Sequence, residues 1–250
     1  MIYEQPLNEQ IRLCLRLEYL FDQANYYLTK ESFWDLHQIL RVILEILQAT
    51  DRPDIKNKFC QTLNQYIYTL SQLEKLPDVD QEKLSGTIRQ IDRIIDVLHA
   101  NQKKIGQELR DDEFLNGLQQ RFYTPAGTCG FNLPNYQLWL QQKAIAHRQL
   151  LTWFKHLDEL QDTVNIILKI LRESSSFRKM EAREGFHQSN LDLNFLCQMI
   201  RIKIPEDKNF FPEVSIGRHR IAIHFFTLDI NGKTNQISYD VAFELACCRV

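Results

Sequence analysis

The spacing of apolar residues changes once along this chain, and that change decides the fold class. From Leu7 to about Ser174, apolar side chains recur every three to four residues, the period of a helix with one buried face. Beyond Ser174-Ser175-Ser176 they alternate, the period of a half-buried strand. Helices followed by strands predict an α+β protein with an N-terminal helical domain and a C-terminal antiparallel β domain. The expected boundaries are 1–124 for the helical domain, continued by helices at about 143–174. Residues 125–142 and 175–250 are assigned to the β domain.

Individual elements follow from caps and breakers. A first helix is expected from near Asn8 to Tyr27, and Ser32 is placed to cap a second carrying Phe33, Leu36, Leu40, Ile43, Leu44 and Leu47. Thr50-Asp51-Arg52-Pro53 ends it, Asp54 is positioned to cap a third that stops at Pro77, and Asp80 a fourth. A fifth is expected over Ile105 to Phe122, and another from Lys143 to Arg172 with a break near Leu157. Thr124 to Pro134 reads as irregular chain and Tyr136 to Leu140 as a short strand. Further strands are expected near 191–204, with the apolar face switching at Met199–Ile200 as at a bulge, and over Phe210–Ile216, Arg218–Leu228 and Ser238–Cys248. Asn231-Gly232 makes a hairpin turn after the third of these.

Composition excludes several function classes. The 250 residues carry a net charge of −2, which argues against a basic whole-chain nucleic-acid binder. No window approaches the ~18 apolar residues of a membrane span. The opening residues lack a secretory pattern, so a cytoplasmic protein with six reduced cysteines is expected. G-x-S-x-G, G-x-G-x-x-G, H-E-x-x-H and C-x-x-C are all absent. Gly232-Lys233-Thr234 imitates the end of a P-loop, but Thr227 stands where that loop needs a glycine. The histidines show no metal-ligand spacing, and Arg110-Asp111-Asp112-Glu113 reads as a solvated acidic helix end. No catalytic residue, metal or cofactor is assigned. Cys247 and Cys248 point to opposite faces of a strand. They are expected to be packing residues, with Cys247 sharing the parity of Val241, Phe243 and Leu245.

One segment stands out. Ser215 to Leu228 contains no acidic residue, and period two places Arg218, Arg220, Ala222 and His224 on one face and His219, Ile221, Ile223 and Phe225 on the other. The guanidinium fork suits carboxylate or phosphate recognition. A solvated strand face carries such residues as well, so the pattern leaves both readings open. A third reading, a nucleic-acid-binding module using strand 217–226, has only Phe226 to offer as a stacking partner on that face.

A resemblance spans the chain. Pro6-Leu7-Asn8-Glu9, Leu15-Arg16-Leu17-Glu18, Gly130-Phe131-Asn132-Leu133-Pro134, Leu138-Trp139-Leu140, Phe177-Arg178-Lys179, Gly185-Phe186 and the ending Phe243-Glu244-Leu245-Ala246-Cys247-Cys248 occur in order. Together they resemble the ZapD family of FtsZ-associated cell-division proteins. The resemblance implies a non-enzymatic cytoplasmic homodimer at the mid-cell division site. It would bind the C-terminal tail of FtsZ and cross-link filaments, with no cofactor, nucleic acid or membrane span. Basic residues of the β domain are implicated in that contact. By position they fall on Arg220, which matches an arginine, and Arg218, which stands for a lysine. His224 and Glu113 occupy places where the family carries basic residues. Arg178, Lys179 and Arg52 complete the set of binding candidates.

Overall fold

A computed structural model describes residues 1–74, 79–100, 103–190, 197–217 and 220–250. It divides the chain into two compact units, residues 13–167 and residues 1–12 with 168–250. The architecture is α+β, with helices preceding an all-antiparallel β region.

The helical elements are α1 (Glu9–Leu28), α2 (Phe33–Ala49), α3 (Ile55–Leu73), α4 (Gln81–Ala100), α5 (Gln107–Arg110), α6 (Glu113–Phe122), α7 (Pro134–Gln141), α8 (Lys143–Lys155) and α9 (Asp158–Glu173). In the unit 13–167, α2 is the central helix. Leu36, Ile39, Leu40, Val42, Ile43, Leu44, Ile46 and Leu47 are all buried, too wide a stripe for a helix at the surface. Ser32 starts it with a reciprocal cap, accepting from the Asp35 amide while the Asp35 carboxylate accepts from the Ser32 amide.

Several expectations are corrected here. Asp54 makes no side-chain cap and instead pairs with Lys58 at 2.6 Å. The fifth helix is two, because Asp112 accepts from the Leu115 amide and opens α6 as a new helix. The acidic run at 110–113 is therefore a helix junction. The segment expected as a strand, Tyr136–Leu140, is helix α7, which starts with Pro134 in its first turn and buries Tyr136, Trp139 and Leu140. Pro77 lies outside the described residues.

Among the described residues, the strands of the other unit form two sheets. β1 (Ile2–Pro6), β4 (Met199–Lys203), β8 (Val241–Cys248) and β2 (Arg178–Ala182) form the first, in the order β1-β4-β8-β2. In the second, β6 (Arg220–Leu228) is flanked on one side by β5 (Phe210–Ile216). On the other side lie β3 (Phe186–Asn190) and, further along, β7 (Thr234–Gln236). Their facing sides share one core of Ala182, Ile200, Ile202, Ile221, Ile223, Phe225, Val241 and Phe243.

β1, β2 and β3 were not anticipated. The Asn231-Gly232 turn is present, with Gly232 at φ 76° and the Asp229 carboxylate accepting from the Asn231 and Lys233 amides. It leads to the short β7 rather than directly to the last strand. No bulge separates Met199 from Ile200, since their pairing with Cys248 and Cys247 is continuous. Both are buried: Ile200 faces the core between the sheets, and Met199 lies on the second face of the first sheet opposite Cys248, which is buried with it. On that second face, Glu4 accepts from Arg172 and Arg201, each through Nε at 2.9 Å, and the Arg201 guanidinium lies 5.3 Å from the Phe177 ring.

The cysteine expectations also change. Cys197 is joined to Cys247, with 5.7 Å between Cα atoms, so those two are not free thiols. Cys248 is the buried member of the terminal pair and Cys247 is exposed, because the strand's last residues pack through the second face. Burial pushes the Cys248 thiol up to about 11.

Candidate protein-binding site

Strand register decides which basic residues meet. A tight turn with Glu184 at φ 49° and Gly185 at φ 71°, closed by a single bridge between Arg183 and Phe186, links β2 of the first sheet to β3 of the second, so Arg178 and Asn190 return to the same end of the β unit. Arg220 is paired with Asn190 and therefore lies at that end too. Arg178 is paired with Leu245, which puts it on the core-facing side of the first sheet, in line with Met180 and Ala182. Both arginines are exposed, and Arg178 makes no ion pair among the described residues.

Between the sheets at this end is an open cavity of about 570 Å³. Its floor is apolar, formed by Met180, Ile200, Ile221 and Leu245, with the sulfurs of Cys197 and Cys247 beside them. Arg178, Arg249, Ser189, Asn190 and the three serines 174–176 make the rim. Two serine hydroxyls are engaged: Ser174 donates to the Leu171 carbonyl, and Ser175 donates to the Cys247 carbonyl. No carboxylate lines the cavity among the described residues. Two guanidinium groups above an apolar floor suit an anion attached to an apolar group.

The sequence candidates separate into groups. Arg178 and Arg220 lie at the same end of the β unit, Arg178 on the inner face of the first sheet and Arg220 on the outer face of the second. Lys179 is on the opposite face of the first sheet from Arg178, opposite Glu244 in register. His224 lies further along β6, roughly 13 Å from Arg220 at strand spacing. It is half-buried, with its ring 4.6 Å from Phe186 and Glu213 opposite on β5. The face expected to be a cationic row is thus mixed: Phe186, Phe211 and Phe226 surround His224, and Glu213 offsets charge. Arg218 lies outside the described residues. Arg52 is exposed between α2 and α3 and belongs to the helical unit. Glu113 is exposed in the first turn of α6.

Sequence reasoning missed Arg249 and Ser189. Arg249 follows the last strand, and Ser189 lies on a strand whose alternation is polar, so periodicity marks neither. The polar alternation of Phe186-His187-Gln188-Ser189-Asn190 was the available signal.

A ZapD family profile, described as a cell division protein, matches residues 15–224. The chain belongs to the ZapD family. Curated relatives are similar over nearly their whole length. The Cell division protein ZapD of Coxiella burnetii is 42% identical over 251 residues, covering 99% of this chain and 97% of that one. That of Methylococcus capsulatus is 32% identical over 249 residues, covering 99% and 98%. That of Janthinobacterium sp. is 33% identical over 249 residues, covering 99% of each. Among the described residues no helix of this ZapD-family chain is long and apolar enough to cross a membrane.

Proposed function

We propose that this ZapD-family protein is a non-enzymatic division factor that binds the C-terminal tail of FtsZ and, as a homodimer, cross-links FtsZ filaments into bundles at the mid-cell ring. The observation that supports the tail contact is the cavity with Arg178 and Arg249 at its rim, lined by no carboxylate among the described residues, with Arg220 at the same end of the β unit. A site with this balance favours an acidic peptide over a basic one. Cross-linking needs two such sites per particle, and a symmetric dimer supplies two copies of one site. Avidity then follows from the high effective concentration of the second tail.

Co-sedimentation with FtsZ filaments, with and without the FtsZ tail, tests this reading. Bundling should require the tail, and light scattering at micromolar concentration should return a dimer mass. Bundling of tail-less filaments, or by a monomer, would overturn it.

A further inference from the structure

We infer that the cavity between the sheets is a side-chain pocket: an apolar side chain of the bound tail sits on its floor while a neighbouring carboxylate of the same peptide is held by Arg178. The inference rests on the tail-binding reading and names what the site selects.

A surface that attracts acidic peptides by charge alone needs no hollow beneath the charges. Here the cationic rim overhangs Met180, Ile200, Ile221 and Leu245, and the volume of about 570 Å³ is that of a pocket for an organic ligand, not for a lone ion. Arg178 occupies a core-facing register position, where the next two residues of its face, Met180 and Ala182, enter the core. Its guanidinium is therefore set at the boundary between water and apolar surface. A carboxylate bound there is partly withdrawn from solvent, and its charge-assisted bond is stronger than one on an open face. Arg220 is on the outer face of the second sheet, where a carboxylate stays solvated and salt-screened. Arg220 attracts, and the pocket discriminates.

The occupant follows from this division. It is a peptide with an acidic residue next to an apolar one. A polyacidic peptide satisfies the arginines and leaves the floor wet. Burying an apolar side chain on that floor removes apolar surface of both partners from water.

The test compares three probes against the full chain by calorimetry: the FtsZ tail peptide, the same peptide with its large apolar residues changed one at a time to Ser, and an all-acidic peptide of equal net charge. Isoleucine-methyl NMR runs in parallel. All four of Ile200, Ile221, Ile204 and Ile237 belong to the core, but only Ile200 and Ile221 line the cavity. The tail peptide should shift the methyls of Ile200 and Ile221 and leave Ile204 and Ile237 unmoved. One of the Ser substitutions should weaken binding at least tenfold, and the all-acidic peptide should bind at least tenfold more weakly than the tail. Ser189→Trp, which fills the cavity from its rim, should weaken tail binding similarly. Its undisturbed methyls at Ile204 and Ile237 would report a retained fold, and Arg178→Ala provides a second variant. Tail binding with methyl shifts elsewhere, or equal affinity for the all-acidic peptide, would overturn the pocket and leave the tail-binding reading standing. No binding of the tail peptide at all would overturn both.

Discussion

Arg110 donates to the Leu47 carbonyl, the Thr50 hydroxyl and the Ile105 carbonyl, and pairs with Asp51 at 3.0 Å. The last carbonyls of a helix have no partner within it, and one guanidinium here serves the end of α2 and the approach to α5 together. Burial holds the Arg110 guanidinium below its ordinary range, with Asp51 opposing the shift. Arg110→Ala is expected to cost about 2 kcal/mol in urea unfolding, the scale of lost hydrogen bonds to a charged group. Arg110→Lys should recover only part of that, because an ammonium lacks the fork. His37 is a second such residue. Its ring stacks on Phe122 at 4.9 Å and its Nδ1 is 2.8 Å from the Tyr136 hydroxyl. Burial, then the nearby Arg41, lowers its pKa below the ordinary histidine value. The unfolded chain therefore binds the proton more readily than the folded one. This contribution is complete above the unfolded value of about 6.5 and declines as pH falls below it. Thermal melts should show stability rising from pH 5.5 to 7, and His37→Gln should flatten that rise. A slope unchanged in the variant would assign it to other groups. The acidic run shows what residue patterns convey. Three adjacent carboxylates look like a solvated face, whereas Asp112 caps α6 and accepts from the Trp153 indole at 3.2 Å. Reading one helix from Ile105 to Phe122 missed the cap, although Asp112 followed by Glu-Phe-Leu was its signal; the indole contact, between residues far apart in the chain, left no local signal.

At the scale of elements, long periodic helices were readable because their burial is local: α1, α2, α4, α8 and α9 fall where apolar spacing places them. The α7 segment was misread because its eight residues mix Tyr, Trp and Leu without a clear period, and its neighbours settle the matter: Tyr136 stacks on Trp139, and Trp139 on Trp153 of α8. Strands β2 and β3 escaped notice because their residues are mostly polar and pair with partners far along the chain, as Arg178 does with Leu245 and Asn190 with Arg220. The turn that links them depends on one backbone position. Gly185 has φ +71°, and a Cβ there would lie 2.4 Å from the Ile237 carbonyl oxygen. Gly185→Ala should destabilise the protein by about 1–3 kcal/mol through left-handed strain and that clash. A melting temperature within 1 °C of the parent protein's would show that the turn relaxes freely.

For the whole molecule, family membership was legible from ordered short motifs, and the candidate site was legible only in part. Arg178 and Arg220 are 42 residues apart in number, and nothing in their spacing says that a tight turn between the sheets and a cross-strand pair bring them to one end. His224 and Lys179 shared their strands with these residues but not their location. Two positions at the water boundary predict two salt responses. Arg220→Ala should weaken tail binding by roughly 10-fold and make the remainder less sensitive to salt, since exposed pairs are screened within about 8–10 Å at physiological ionic strength. Arg178→Ala should weaken it as much or more while leaving the salt dependence steeper. Titrations between 50 and 300 mM NaCl would distinguish them, and identical slopes would place both arginines in one solvated environment.

The pairing of β1 with β4 has a consequence for synthesis. Glu4 and its partner Arg201 are separated by 197 positions, so the strand made first waits for its neighbour through most of translation. At ~5–20 residues per second that delay is roughly 10–40 s. Residues 13–167 emerge during it and form a unit of their own. The β unit is then a late event, closed by a strand that has been in solvent all along, and Pro6 at the end of that strand removes one donor that a stray chain would pair with.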